Sequence, residues 1–522
     1  MKTKLPAGFL SAALIALLAF VLAPAPARAQ DYAPPRFDAD AARAEKITAL
    51  LPEIEKIFAD YAAEKPAPGL VWGIVLDGRL LHTGTVGFAN LERKIPAAAN
   101  TGFRIASMTK SFTALAILKL RDAGQLGLDD AVEKHLPEFR AIKPLTADAP
   151  KITLRHLLGM AAGFPEDNPW GDRQLGITDA QFAEFLSRGI SLSNAPGVAF
   201  EYSNLNFALL GRIVSRVSGV PYQRYITREI LAPLGMKDTR WEFSEVPPDR
   251  LALGYRWENN AWKLEPLERD GAYGAMGGLI TTAEDFARYI SFHLSAWPPR
   301  DEADTGPVRR ATTREMHTPI EPTGVNATAK TLAGEPNPVA NGYGFGLSSS
   351  IDSKGVANVR HSGGLPGFGS EYRFFPEYGF GVFSFANVTY AGTGATNVKV
   401  AALLLEKGGL PPRTLPVSKI LAQRQRQLAA LLADAAWEEK LSAEILAENF
   451  FPDRSRESWI AFTRATLASA GKISSVGPLQ PLNQLRGTFP LVGEKGRIDV
   501  TFTLTPENPP RVQSLRLNFV GK

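Results

Sequence analysis

Ser107 and Lys110 stand three residues apart at the head of an apolar pattern formed by Phe112, Leu115, Ile117, Leu118 and Leu120. Residues three apart on a helix share a face, so the lysine lies one turn from the serine hydroxyl. A serine hydroxyl is a weak nucleophile until a neighbour takes its proton. A lysine held in a dry pocket shifts toward neutrality and can serve as that base. The helix N-terminus adds partial positive charge and unpaired N–H groups suited to an oxyanion. The chemistry this pairing offers is acyl transfer through a covalent serine intermediate. The same spacing recurs at Ser469 and Lys472, where a helical pattern ends at Gly471 and no partners follow. That second copy is read as chance.

Two further groups of residues can complete the chemistry. Tyr202-Ser203-Asn204 precedes a helical pattern. A tyrosinate is a strong base, but a free tyrosine titrates near pH 10, so it needs a cation such as Lys110 beside it. Asn204 can hold the lysine and a substrate amide with the two sides of its side chain. The same residues also fit a helix N-cap, with Ser203 or Asn204 as the capping side chain. His361-Ser362-Gly363-Gly364 ends an apolar strand. Its glycines allow a ligand backbone to come close or the strand end to bend, and the Gly364 N–H can join that of Ser107 in an oxyanion hole. A structural histidine beside a glycine-rich turn fits His361 equally well. A rival histidine, His82 in His-Thr-Gly, lies ahead of the nucleophile in chain order, which argues against it.

Taken together, in the order Ser-x-x-Lys, Tyr-x-Asn, His-x-Gly, these motifs resemble the serine hydrolases that include class C β-lactamases, penicillin-binding proteins, D,D-carboxypeptidases, D-aminopeptidases and related esterases. Phe103-Arg104-Ile105-Ala106, Leu154-Arg155-His156-Leu157-Leu158, the run Gly277 to Asp285 and Tyr343-Gly344-Phe345-Gly346-Leu347 strengthen the likeness, which covers residues 40 to 405. The resemblance implies Ser107, Lys110 and Tyr202 as catalytic residues and Asn204, His361, Gly363 and Gly364 as substrate-binding ones. It implies a β-lactamase/transpeptidase-like α/β (α+β) fold: an antiparallel sheet flanked by helices plus an all-helical subdomain, with the serine between them. Two departures point away from β-lactam specificity. His-Ser-Gly stands where β-lactamases commonly have Lys-Thr-Gly, and Gly159-Met160-Ala161-Ala162-Gly163 replaces the usual His-Thr-Ser-Gly phrase.

The elements that must position these residues can be read from periodicity. Ile47, Leu50, Leu51, Ile54, Phe58 and Tyr61 keep one face of a helix over Asp38 to Lys65. Leu70 to Leu76 and Leu80 to Val86 flank Asp77-Gly78, a hairpin turn signal. Helices are expected over Thr153 to Met160, Thr178 to Arg188, Leu205 to Val217, Tyr222 to Leu234, Thr282 to Ser295 and Asn397 to Lys407. Strands are expected over Gly355 to Arg360, Ser370 to Phe375 and Gly379 to Ala386. Residues 296 to 341, rich in Pro, Thr, Gly and Ala, read as a long irregular segment, a lid or binding loop. Pro165 to Arg173, with Trp170, reads either as part of the cleft rim or as an ordinary packed loop. Pro411-Pro412 and Pro416 mark a boundary. Beyond it, helical patterns (Val417 to Ala443, Arg456 to Gly471) precede strands at Leu485 to Leu491, Ile498 to Leu504 and Val512 to Phe519. The expected domains are therefore a signal peptide over 1–29, a hydrolase over 30–410 and a small accessory α+β domain over 411–522.

Composition bounds the rest. With 45% apolar and 21% charged residues the chain is that of a soluble globular protein. Lys2 and Lys4, the apolar run Phe9 to Ala23 and Ala27-Arg28-Ala29 form a secretory signal, cut after Ala29, which predicts a periplasmic or secreted protein without a transmembrane segment after cleavage. There is no cysteine, which removes disulfides and thiolate chemistry. The six histidines lack metal-ligand spacing, and no Gly-x-Ser-x-Gly marks an α/β-hydrolase. No cofactor or metal is expected. The net charge of +5 is modest, so no nucleic acid is expected as a partner; the expected partner is a small-molecule or short-peptide substrate. The leading function is an ester- or amide-cleaving serine hydrolase. A β-lactamase or D,D-carboxypeptidase proper, a penicillin-binding sensor that does not turn over and an inactive scaffold remain as alternatives.

Overall fold

A computed structural model of the chain describes residues 32–38, 42–65, 67–433 and 437–522. The expected signal peptide lies outside the described residues. The chain divides into two compact units, with the break between Thr414 and Leu415, inside the proline-rich stretch.

The first unit is built on a nine-stranded antiparallel sheet. Its strands in chain order are β1 (Gly69–Leu76), β2 (Arg79–Asn90), β3 (Ile95–Pro96), β4 (Glu321–Asn326), β5 (Val339–Tyr343), β6 (Ser348–Asp352), β7 (Ala357–Leu365), β8 (Phe368–Phe375) and β9 (Phe380–Ala386). They lie in the order β3-β2-β1-β9-β8-β7-β6-β5-β4. Asp77 and Gly78 both take positive φ, the geometry that lets a two-residue turn follow the twist of its strands. Strands β1, β8 and β9 are buried along their whole length because helices cover both faces of the sheet. On one face α1 (Arg43–Glu64) packs Ile47, Ile54 and Phe58 against Trp72, Ile74 and Val382. On the other, Val71, Val75 and Phe383 join the core of the helical region that carries Ser107.

That region includes α2 (Thr109–Asp122), the short helix Leu154–Leu158, the helix Asp179–Ser187 and α3 (Asn204–Ser218). Thr153 and Thr178 cap the two middle helices through their side chains, as expected for threonine at the first non-helical position. Residues 296 to 341 are not the irregular segment their composition suggests. They contain the helix Arg310–His317, and they supply β4 and most of β5 at the sheet edge. Five of the six β4 residues are exposed, so the strand has no buried alternating face that periodicity could register. Strand β7 also runs on through His361 to Leu365 instead of ending before the glycines.

The second unit holds the helices Lys419–Ala433, Glu439–Ile445 and Arg456–Ala470 and a five-stranded antiparallel sheet containing Arg486–Gly493, Gly496–Leu504 and Val512–Gly521. Leu421, Leu428, Trp437, Trp459, Phe489 and Ile498 belong to its separate core. Among the described residues, no helix is long and apolar enough to cross a membrane.

Candidate active site

Ser107 sits in a single turn, Ala106–Met108, that leads from the short strand Phe103–Arg104 into α2. Ala106 holds a positive φ of 51°, a conformation that costs a residue with a Cβ free energy and persists where the surroundings enforce it. Three hydrogen bonds do so. Ile105 donates its N–H to Leu279 O, the Ser370 hydroxyl donates to Ile105 O at 2.8 Å, and Thr109 Oγ1 accepts from Leu279 N at 3.2 Å. The nucleophile turn is thus tied to β8 and to the Gly277–Thr281 segment.

Lys110 lies one turn along, with 0% exposure, its Nζ 2.9 Å from Ser107 Oγ. It also donates to Asn204 Oδ1 at 2.7 Å and to Met276 O at 3.0 Å. All three oxygen partners are uncharged, so burial outweighs the attraction of Asp172 and Asp167, and the ammonium is brought down to about 7. Close to half of it is neutral at neutral pH. Tyr202 shows the opposite balance. Burial pushes its phenol above the ordinary tyrosine value, and the hydrogen bond from Ser107 compensates only in part. The lysine nitrogen sits 5.0 Å over the Tyr202 ring centroid, yet the tyrosinate that sequence reasoning considered is not favoured here.

Asn204 is the first residue of α3, but neither its side chain nor that of Ser203 caps the helix. Asp167 does so from a distant loop, accepting from Asn204 N at 2.7 Å and from Leu205 N at 3.0 Å. Asn204 is thereby free to bridge Lys110 to Asn168 Oδ1 at 2.7 Å and to Asp172 Oδ1 at 3.1 Å. Asp172, 1% exposed, also accepts from the Tyr390 hydroxyl at 2.9 Å; burial raises its carboxyl, with Lys110 pulling the other way. Asp167, Asp172 and Tyr390 were not found by sequence reasoning. The Pro165–Arg173 segment that holds the two aspartates reads from sequence either as cleft rim or as an ordinary packed loop, with no role for either aspartate.

His361, 4% exposed, stands in the pocket wall, and both its ring nitrogens are occupied. Nδ1 lies 2.6 Å from Ser362 O, which can only accept, so Nδ1 carries the proton and Nε2 accepts from the Tyr343 hydroxyl at 3.1 Å. Burial, with Lys110 second, lowers the imidazole to about 3, so the ring is neutral. The two glycines are close approaches to protein. A Cβ on Gly363 would lie 2.2 Å from Ile105 O, and one on Gly364 2.8 Å from the Tyr390 ring. Gly363 lets β7 press on the nucleophile turn, while Gly364 lines the pocket.

Ser107, Asp172, Tyr202, His361, Gly364 and Tyr390 line one pocket of about 390 Å3, with Lys110 and Asn204 bonded behind that wall. His82 lies elsewhere, on β2 within ion-pair distance of Glu55. Ser469 and Lys472 are exposed residues of the second unit. Among the described residues, no group of three or more histidine, cysteine or acidic side chains could hold a metal ion.

A model of the family described as Beta-lactamase matches residues 54–406. The chain is 31% identical over 325 residues to Protein flp of Staphylococcus aureus, covering 62% of this chain and 60% of that protein. It thus spans about 60% of the length of the curated relatives it matches. To Beta-lactamase-like protein 2 of Dictyostelium discoideum it is 32% identical over 253 residues, 47% of this chain and 46% of that one. Among solved structures, the octameric penicillin-binding protein homologue from Pyrococcus abyssi matches with a TM-score of 0.58 at 22% identity, covering 90% of this chain and 96% of that chain. A class C β-lactamase matches with a TM-score of 0.55 at 19% identity, covering 70% and 98%. The two structures establish a β-lactamase/transpeptidase-like fold.

Proposed function

The chain belongs to the Beta-lactamase family, and on that premise we propose that it is a secreted or periplasmic serine hydrolase that cleaves an ester or amide through an acyl-enzyme on Ser107. The observation that carries this reading is the 2.9 Å approach of a fully buried, uncharged-partner lysine to the serine hydroxyl. Neutral Lys110 takes the Ser107 proton as Oγ attacks the substrate carbonyl carbon. The resulting oxyanion is met by the N–H groups of Ser107 and Gly364. Collapse breaks the bond to the leaving group, which receives the proton from Lys110 with the Tyr202 hydroxyl as relay. Water then attacks the ester on Ser107, Lys110 again accepting the proton; the bond from the acyl carbon to Oγ breaks, Lys110 returns that proton to Oγ, and the acid product leaves. Tyr202 acts as a neutral donor and acceptor, because burial opposes its ionisation. Asn204 holds the lysine, and Asp172 steadies Asn204.

The substrate is an ester or amide that needs no anchoring cation at position 361. A neutral, internally satisfied histidine offers no partner to the carboxylate of a penicillin or cephalosporin. The test is to incubate the purified protein with a chromogenic ester and a fluorescent penicillin and to weigh the intact protein. Ester turnover with a transient adduct lost in Ser107→Ala supports the reading. Stable penicillin labelling without turnover would instead indicate a sensor.

A further inference from the structure

The residues that line the Ser107 pocket include two acids, while Lys110 stands behind the serine, its Nζ 2.9 Å from Oγ. Glu166 and Asp172 are the acids, and no lysine or arginine lines the pocket; its one histidine is fixed as a neutral ring by Ser362 O and the Tyr343 hydroxyl. The remaining wall is largely aromatic, formed by Phe200, Tyr202, Tyr343 and Tyr390. The two carboxylates are not equivalent. Asp172 is buried and committed to Asn204 and Tyr390. Glu166 is exposed at the rim, and among the described residues no cation pairs with its carboxylate. Its backbone is nevertheless held: Glu166 N donates to Glu201 Oε1 at 2.8 Å, and the other oxygen of Glu201 accepts from the Ser193 hydroxyl and from Asn194 Nδ2 at 2.6 Å. The free carboxylate therefore extends from a fixed point of the backbone at the mouth of an aromatic pocket.

At the rim a cation beside aromatic faces and an unpaired carboxylate gains from both, whereas an anion there meets the repulsion of Glu166. We propose that Glu166 is a specificity-determining residue and that the natural substrate of the Ser107 site carries an ammonium group near its scissile ester or amide. This assignment rests on the hydrolase reading above and goes beyond it by naming the charge of the substrate. Free amino groups of amino-acid or peptide derivatives supply that chemistry.

The test uses the full chain and three nitrophenyl esters of matched length whose acyl chains end in an ammonium, a methyl or a carboxylate: the aminohexanoate, heptanoate and adipate esters. Wild-type kcat/KM should rank them in that order, with the ammonium ester ahead of the carboxylate ester by roughly tenfold or more, since an exposed charge pair accounts for about a fivefold effect in each direction. The readout is the ratio between substrates, which general damage to the site leaves in place. In Glu166→Gln the ammonium-to-carboxylate ratio should fall by roughly tenfold or more, toward parity, and in Glu166→Lys the order should reverse. A carboxylate ester turned over as well as the ammonium ester, or an unchanged ratio in Glu166→Gln, overturns the assignment of Glu166. Absence of any Ser107 adduct with all three esters overturns the hydrolase reading itself, so the two failures are told apart by the mass of the protein.

Discussion

The chain contains the same four-residue spacing twice, and the two copies differ in everything but spacing. Ser107 and Lys110 open a buried helix, and the lysine nitrogen contacts the serine and two further uncharged oxygens. Ser469 is in the last turn of Arg456–Ala470, its hydroxyl bonded to Ala465 O, and Lys472 lies past Gly471, exposed. At a helix start the dipole and free N–H groups favour an oxyanion; at a helix end they oppose one. Water around Lys472 stabilises the ammonium, whereas its removal around Lys110 destabilises it. The pair is therefore an environment more than a sequence, and each experiment below alters that environment on one side of the comparison.

The largest effect is expected from the nucleophile. Ser107→Ala should lower ester kcat/KM by roughly a thousandfold or more, while Ser469→Ala should match the wild type. Comparable losses in both would dissolve the distinction. Lys110→Ala should cost nearly as much, and the double Ser107→Ala/Lys110→Ala variant little beyond either single one, because the two act as a unit; a multiplicative loss would show two independent contributions. Next in size is substrate preference. With His361 neutral and internally bonded, simple esters should outrun a chromogenic cephalosporin by roughly tenfold in kcat/KM, a ranking that parallel steady-state assays can reverse.

The pH dependence follows from Lys110. Its ammonium titrates at about 7 and only the neutral form accepts a proton, so kcat/KM should fall as pH drops through that value, about tenfold from pH 8 to pH 6. A flat profile over this range would assign the base elsewhere. The smallest effect sharpens the cause. Asp172 raises the lysine, against the burial that lowers it. In Asp172→Asn the acid limb should therefore move to lower pH, by some tenths of a unit, with the wild-type profile measured alongside; movement to higher pH would contradict the sign.

What the sequence revealed is what is local along the chain. Ser107 lies in the turn that runs directly into the helix of Lys110, and Tyr202 and Asn204 flank the start of another, so their proximity within each pair is visible from spacing. The hairpin at Asp77-Gly78 is visible for the same reason, since two consecutive residues determine it. Asp167 and Asp172 act across 37 and 32 positions, capping α3 and bracing Asn204, and no short window connects them to their partners. Ser203, the obvious local cap, makes no cap bond. Likewise β4 escaped notice because it is an exposed edge, while the buried β9 announced itself through Phe380, Val382 and Phe383. For His361 the sequence left a substrate-facing and a structural reading open; its bond with Tyr343 depends on a neighbouring stretch of sheet that pattern reading did not resolve.

The pairing of β1 with β9 bears on how the chain is made. A ribosome delivers residues in order, and β1 emerges long before the strand it lies against, which is nearly the last of its unit. Until Ala386 has been synthesised the centre of the sheet does not exist, and the turn holding Ser107 gains the Ser370 contact that fixes it only when β8, the strand before, has emerged. Contacts this distant along the chain form slowly. The turn of Ser107 therefore reaches its final set of contacts late. During that interval β1, already joined to β2, leaves its other edge open, a hazard in a crowded cell.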